Sequence, residues 1–263
     1  MILNPPKVEE IIKDVKTALL KEPNIEVITI TSNGEPTLYK DLDILVDRLN
    51  EIKDDKKLLI LSNSSTITDP KIREVLKKID IVKLSLDCVS QMCFKKIDRP
   101  MEGIYIKDII LGIKTFAKSF ENDLVIEVLL VKGVNDKKQE IEALNRVLNE
   151  IKPTRVDFGT IDRPPAFDVN PVTSEVLKEL SSSFEGLPIS IIHKTKPKFK
   201  VSFDKDEIKN MLKRRPQSQS DVDYLFSDIS KNNLLQLVDD KEVLKKSIAG
   251  VIFYCDTNLI LSR

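Results

Sequence analysis

The stretch Ile25-Glu-Val-Ile-Thr-Ile-Thr-Ser-Asn-Gly-Glu-Pro-Thr-Leu38 decides the fold of this chain. Its first half is an apolar run rich in β-branched residues, which is typical of a buried strand, and a small polar loop follows. After that loop the apolar residues take helical spacing, at Leu42, Leu45, Val46 and Leu49. Asn33-Gly34 is also a hairpin signal, but no second strand follows it. We therefore predict a strand that leads into a helix.

Two residues of the loop are suited to ligand binding. Gly34 can bring bare backbone close to a ligand, and the carboxylate of Glu35 beside it could hold an ammonium group. The alternative is that Glu35 only caps the helix that follows. The stretch by itself leaves both interpretations open.

Composition limits the classes of function. The 263 residues suffice for one large domain and a small one, and the 42 basic and 42 acidic residues give a formal net charge of zero. No global field therefore draws the chain to nucleic acid or to anionic lipid. Three irregularly spaced cysteines suit a reducing cytoplasm better than a disulfide framework. With no signal-peptide layout and no apolar run near ~20 residues, we expect a soluble cytoplasmic protein without a membrane partner.

Strand and helix patterns alternate strictly over residues 1–203. The strand patterns cover residues 25–30, 57–61, 81–86, 124–131, 155–160 and 189–192, with helical periodicity between them. This alternation predicts an α/β fold with a parallel sheet and right-handed crossovers. A polar loop follows most of these strands, and in such folds the carboxyl ends of the strands form the binding face. We expect these loops to share one ligand-binding face. The alternative is that they are polar only because they are exposed to solvent.

The pattern changes after Val201. Asp204 and Glu207 form a helix start signal, two further helical patterns follow, and residues 243–254 read as a hairpin with its turn near Gly250. This order predicts a winged-helix module over residues 204–263. The module carries ten basic and ten acidic residues, so its basic cluster could serve RNA contact, protein docking or a structural role. That cluster comprises Lys209, Lys213, Arg214 and Arg215.

Several ordered motifs together resemble the radical S-adenosylmethionine (radical SAM) proteins. They are Asn-Gly-Glu-Pro-Thr-Leu at 33–38, Leu-Ser-Leu-Asp at 84–87, Phe-Lys-Lys-Ile-Asp-Arg-Pro at 94–100, Glu-Val-Leu-Leu-Val-Lys-Gly-Val-Asn-Asp at 127–136 and Asp-Arg-Pro-Pro-Ala at 162–166. Within that family the chain is most similar to iron–sulfur oxidoreductases related to tRNA wyosine-synthesis enzymes. The resemblance implies a partial (β/α) TIM barrel that lacks its first strand, followed by a winged helix.

The resemblance also implies a set of residues that bind S-adenosylmethionine. Gly34 and Glu35 match the loop that holds the methionine amino group, and Asn33 stands where the family has a first glycine. Ser62 and Asn63 would lie near the ribose and carboxylate, with Ser85 and Asp87 at the next strand end. Further candidates are Lys132, Asn135 and Arg163, the last of which would border adenine or substrate.

The chain departs from the family at the iron–sulfur cluster. The family's C-x-x-x-C-x-x-C motif, which ligates a four-iron four-sulfur cluster, is absent, and the spacing of Cys88, Cys93 and Cys255 does not replace it. With His193 as its only histidine, the chain also lacks a classical zinc signature. We therefore expect an N-terminally truncated oxidoreductase that keeps the cofactor platform, binds no stoichiometric cluster and self-associates through an open sheet edge. The alternative is a degenerate, non-catalytic scaffold protein.

Overall fold

The computed structural model describes residues 5–32, 34–162, 164–165, 167–191, 200–248 and 251–257. Contacts divide the chain into two compact units. Unit 1 comprises Met1–Leu129, Val134–Phe158 and Lys178–Ile191. Unit 2 comprises Leu130–Gly133, Gly159–Leu177 and Ile192–Arg263.

Helices and strands alternate along the first part of the chain. The strands are β1 (Val27–Ile30), β2 (Lys57–Ser62), β3 (Ile81–Ser85), β4 (Asp123–Leu130), β5 (Arg155–Thr160) and β6 (Ile189–Ile191). The helices are α1 (Val8–Lys21), α2 (Leu42–Ile52), α3 (Pro70–Leu76), α4 (Gln91–Ile97), α5 (Ile106–Ala117), α6 (Lys138–Ile151) and α7 (Ser174–Ser182). A 3₁₀ turn, Pro36–Leu38, lies between β1 and α2.

The sheet is parallel, as predicted. Its six strands lie side by side in chain order, from β1 to β6. β1 pairs with β2 in parallel register, with Val27 opposite Lys57 and Ile30 opposite Ile60. Each connection between neighbouring strands contains a helix, which returns the chain to the same end of the sheet. The carboxyl ends of the strands therefore lie along one edge, which we call the carboxyl edge.

One face of the sheet is mainly apolar. Ile60, Val82 and Leu124 are neighbours across three strands, and all three side chains are buried. The helices supply matching apolar faces, for example Val46 and Leu49 of α2. On the other face the alternating residues are half-buried and include Lys83 in place of an apolar side chain. The core therefore lies against one face, and polar chemistry is confined to the other face and the carboxyl edge.

The carboxyl-terminal part of unit 2 consists of helices and a small antiparallel sheet. Its elements are α8 (Lys205–Arg214), β7 (Gln217–Ser218), α9 (Gln219–Leu225), α10 (Asp228–Asp239), β8 (Val243–Ile248) and β9 (Val251–Asp256), with the strands in the order β7-β9-β8. Its core includes Ile208, Leu212, Phe226, Leu234 and Tyr254.

The start signal predicted for α8 is confirmed as a capping box. The backbone N–H of Glu207 donates to the Asp204 carboxylate at 2.8 Å. The backbone N–H of Asp204 donates in turn to the Glu207 carboxylate at 2.9 Å. These two bonds satisfy donors that the first helical turn leaves without an intrahelical partner.

Some predicted boundaries were wrong by a few residues. The first strand begins at Val27 rather than at residue 25, and the third ends at Ser85 rather than at residue 86. The 3₁₀ turn and β7 were not predicted, because both are too short to show a periodicity. The predicted turn near Gly250 lies outside the described residues. In the described part of the chain, no helix is long and apolar enough to cross a membrane.

Candidate functional site

Glu35 joins the first two loops of the carboxyl edge. Its Oε1 accepts hydrogen bonds from the backbone N–H of Thr37 at 3.1 Å and from the Thr37 hydroxyl at 2.6 Å. Its Oε2 accepts from the backbone N–H of Asn63 at 2.7 Å. Glu35 therefore caps the following turn, as the second interpretation of the sequence predicted. A carboxylate has about four acceptor sites, so three bonds leave one for a ligand.

Gly34 leaves space beside that carboxylate. An added Cβ at Gly34 would have no atom within 4 Å beyond its two chain neighbours, and the residue is exposed. The Gly34 N–H donates to the Ser32 hydroxyl at 3.2 Å, which holds the loop in place. A ligand can thus approach the backbone here while reaching the half-buried carboxylate of Glu35.

The loop after β2 is held by its own side chains. The Ser62 hydroxyl accepts from the Ser64 N–H at 3.1 Å, and the Asn63 side-chain oxygen accepts from the Ser65 N–H at 2.9 Å. The Ser64 hydroxyl donates to the Ser85 carbonyl at 2.8 Å, which ties this loop to the end of β3. Ser62 is only 6% exposed, whereas Asn63 is exposed. Asn63 is therefore open to a ligand, and Ser62 serves the loop.

Asp87 and Asn135 connect the ends of β3 and β4. The Asp87 carboxylate accepts from the Leu129 N–H at 2.7 Å. The Asn135 side-chain amide donates to the carbonyls of Asp87 at 2.8 Å and Leu129 at 2.7 Å. Because Asn135 is 1% exposed and bonded to backbone, it clamps the two loops together.

The ionisation of Asp87 is strongly perturbed. Burial, and then the negative charge of Asp98, raise the pKa of the Asp87 carboxyl to about 8. The hydrogen bond from the Leu129 N–H acts in the opposite direction and is outweighed. A carboxyl with a pKa of about 8 is mostly protonated at neutral pH. It can therefore donate or accept a proton at the carboxyl edge.

An ion network around the buried Asp157 crosses the polar face of the sheet. The Lys83 ammonium lies 2.8 Å from the Glu127 carboxylate and 3.1 Å from that of Asp157. Arg155 pairs with Asp157 at 2.6 Å. Burial raises the pKa of Asp157, but the hydrogen bonds from Arg155 and Lys83 outweigh it and hold that pKa below its usual value. The network keeps the Asp157 carboxylate ionised and holds it in a fixed position.

The prediction that the cysteines remain unlinked was wrong for two of them. Cys88 and Cys93 form a disulfide, with their Cα atoms 5.7 Å apart. Cys88 precedes Ser90, the N-cap of α4, and Cys93 lies in the first turn, so the turn itself brings the two side chains together. The remaining cysteine, Cys255, is buried and free in unit 2, and burial raises the pKa of its thiol.

This donor set does not fit a four-iron cluster. Three thiolates must converge on such a cluster to leave one iron open, as the family pattern requires. Unit 1, which carries the carboxyl edge, contains two cysteines, and both are committed to the disulfide. The residues of unit 1 therefore do not supply the thiolates that such a cluster needs.

The predicted residues divide between unit 1, unit 2 and the part of the chain outside the described residues. Lys132 is exposed and belongs to unit 2, where its backbone N–H donates to the Asn170 carbonyl at 3.0 Å. Asn33, Arg163 and His193 lie outside the described residues. The residues that do lie along the carboxyl edge of unit 1 are Gly34, Glu35, Ser62, Asn63, Ser85, Asp87 and Asn135.

Sequence reasoning missed three residues of the edge and a fourth, Glu140, beside it. Thr37 bonds the Glu35 carboxylate, and Ser64, at a left-handed φ of 66°, bridges two loops. Asp98 perturbs Asp87, and Glu140 accepts hydrogen bonds from the loop that holds Cys88. The Glu-Pro-Thr order is a recognisable cap signal for Thr37. No local pattern indicates the other three, because their partners are distant in sequence or set by burial.

Comparison with known proteins identifies the class. The profile of the Radical SAM superfamily matches residues 3–144 of the chain. The chain belongs to the radical SAM superfamily.

The chain is also similar to individual proteins. The chain is 37% identical to a UPF0026 protein of Helicobacter pylori strain J99 over 256 residues, which cover 95% of this chain and 82% of that one. It is 24% identical to the UPF0026 protein MJ1312 of Methanocaldococcus jannaschii, over 94% of this chain and 79% of that one. The structure is similar to a radical SAM methyltransferase from Sphaerobacter thermophilus, with a TM-score of 0.58 and 16% identity over 72% of this chain and 58% of that one. This last likeness concerns the fold alone.

Proposed function

We propose that the carboxyl edge of unit 1 binds S-adenosylmethionine, with the Glu35 carboxylate holding the methionine ammonium group. The observation that carries the proposal is the position of Glu35. Its carboxylate is fixed by Thr37 and Asn63, keeps one acceptor site, and lies beside the open backbone of Gly34. A fixed carboxylate binds an ammonium group through a charge-assisted hydrogen bond without first having to be ordered.

The neighbouring residues suit the rest of such a ligand. The Asn63 side-chain amide is exposed and can donate to a carboxylate or ribose oxygen. The half-buried Asp87, at the end of the next loop, can accept from a hydroxyl or exchange a proton. When bound in radical SAM proteins, S-adenosylmethionine supplies radical chemistry in combination with a four-iron cluster. The part assigned to this chain is to bind and orient the cofactor.

We also propose that residues 204–263 form a winged-helix module. The order α8, β7, α9, α10, β8, β9 supports this, because a winged helix places its hairpin after its helices. The predicted basic cluster is partly neutralised: Lys209 pairs with Asp206 at 3.2 Å and Glu242 at 3.0 Å, and Arg215 pairs with Asp162 at 3.3 Å. These carboxylates favour protein docking over binding to an RNA backbone.

For the lineage as a whole, our hypothesis is wyosine-related oxidoreductase chemistry on tRNA. The alternative is a non-catalytic scaffold protein that binds the cofactor.

Calorimetric titration of the full chain with S-adenosylmethionine tests the binding proposal. Glu35→Gln removes the charge and should weaken binding by about 1.5–3 kcal/mol, the usual scale for a hydrogen bond to a charged group. Glu74→Gln, an exposed position in α3, makes the same chemical change away from the edge and should bind like the wild type.

Thermal unfolding of both variants shows whether the fold is kept. Equal affinity of the wild type and folded Glu35→Gln would remove Glu35 from the site. Failure of the wild-type chain to bind S-adenosylmethionine would contradict the whole proposal.

A further inference from the structure

A separate cluster of metal-ligating side chains lies beside the carboxyl edge. The Sγ atoms of Cys88 and Cys93 and a carboxylate oxygen of Glu140 lie within 4.8 Å of one another. Both cysteines are buried, and Glu140 is half-buried. Among the described residues, the ligand atoms of these three side chains converge closely enough to hold a metal ion.

Glu140 is held in place by the loop that carries the cysteines. Its Oε1 accepts from the backbone N–H of Val89 at 2.7 Å and from that of Ser90 at 3.0 Å. Both backbone donors use the same oxygen, so neither of them occupies Oε2. Hydrogen bonds of this kind orient a carboxylate ligand before the metal binds.

We propose that the reduced chain binds a zinc-class divalent cation through Cys88, Cys93 and Glu140, and that the Cys88–Cys93 disulfide abolishes this site. Two thiolates and one carboxylate are donors that Zn²⁺ prefers, and three protein ligands leave one position open for water. Two Zn–S bonds of about 2.3 Å at a tetrahedral angle place the sulfurs roughly 3.8 Å apart. The disulfide and the metal site therefore exclude each other.

A dithiol can supply the two electrons that convert the Cys88–Cys93 disulfide into the two thiols of the metal-binding form. A thiolate of the dithiol attacks one sulfur of the disulfide and forms a mixed disulfide, and the second thiol of the reagent resolves it. The reagent leaves as a cyclic disulfide, and Cys88 and Cys93 are left as thiols. Binding of the cation then displaces their two protons, so affinity should rise with pH.

The chain is first reduced with a dithiol, and the dithiol is then removed under anaerobic conditions. The reduced protein is titrated with Co²⁺ and then with Zn²⁺. Reduced wild-type protein should show a thiolate-to-cobalt charge-transfer band that one equivalent of Zn²⁺ removes. The air-oxidised protein should show no such band. The double variant Cys88→Ser/Cys93→Ser should lose the band although Cys255 is still present.

Glu140→Gln tests the third ligand. The amide oxygen can still accept from the Val89 and Ser90 N–H groups, so the loop is kept while the charged ligand is lost. Zinc affinity should fall roughly tenfold or more, as it does when a metal site loses a supporting group. Glu142→Gln, exposed on the same helix, is the matched control and should bind zinc like the wild type.

Two results would overturn the proposal. One is equal cobalt or zinc affinity of the reduced wild type and the double cysteine variant. The other is equal affinity of the reduced and oxidised wild type. Circular dichroism on every sample shows that a lost signal is not lost folding. The proposal does not depend on S-adenosylmethionine, so the two titrations can fail independently.

Discussion

Asp87 should make stability depend on pH. Its folded-state pKa, about 8, lies above the usual 3.8, so the folded protein binds the proton more tightly than the unfolded chain does. The stability that this group provides is present at low pH and is lost as the pH rises toward about 8. Asp87→Asn removes the ionisable group, and its amide oxygen can still accept from Leu129. The substitution should stabilise the fold by about 1–3 kcal/mol near pH 8.5 and by much less near pH 5.

Urea unfolding at the two pH values measures this difference. Asp98→Asn is the companion variant, because removing that charge lowers the pKa of Asp87 and should also reduce the pH dependence. A constant effect of Asp87→Asn across the range would show that Asp87 ionises normally.

Asp157 should behave in the opposite sense. Its pKa is lowered by Arg155 and Lys83, so its contribution to stability is present above the usual carboxyl pKa and is lost as the pH falls through the lowered value. Asp157→Asn leaves two cations without their shared partner and should cost about 1–3 kcal/mol at neutral pH. The loss should shrink in acid, where the wild-type carboxyl is protonated. The same unfolding series, extended to low pH, checks this, and a loss that grows in acid would contradict it.

Helix α5 depends on a glycine. An added Cβ at Gly112 would lie 2.9 Å from both the carbonyl oxygen and the Cγ2 atom of Ile67. Alanine is the better helix former by about 1 kcal/mol, but overpacking against fixed backbone costs about 1–3 kcal/mol. Gly112→Ala should therefore destabilise the protein although it raises helix propensity. Leu111→Ala, at an exposed neighbouring position, should change the free energy of unfolding little.

Denaturant midpoints of the two variants decide this competition. If Gly112→Ala is more stable than the wild type, then α5 can move away from Ile67 at small cost, and the close approach is not a constraint on the fold.

We expect the outer edge of β1 to control self-association. In the described part of the chain β1 pairs only with β2, and Thr29 on it is exposed. An unpaired strand edge can pair with another chain, and a lysine placed on it opposes such pairing. We expect concentration-dependent self-association of the wild type, reduced by Thr29→Lys. Thr17→Lys, exposed on α1, adds the same charge away from the edge and should leave association unchanged.

Light scattering coupled to size-exclusion chromatography measures the mass in solution. A wild-type chain that remains monomeric at high concentration would show that this edge is protected in solution.

The sequence by itself determined the alternation of strands and helices, the parallel sheet and the edge on which Glu35 lies. These follow from local periodicity, since side chains two apart in a strand and three or four apart in a helix share a face. The capping box at Asp204 was equally local, because both partners lie within one helical turn.

Only the tertiary structure decided which of those polar residues are open to a ligand. Glu35 meets Asn63 across 28 residues, and Glu140 meets Val89 across 51. The raised pKa of Asp87, the burial of Asn135 and the pairing of Cys88 with Cys93 also arise from packing around one loop edge. Periodicity predicts which face a residue takes, but the partner that satisfies or perturbs it comes from distant parts of the chain that folding brings together.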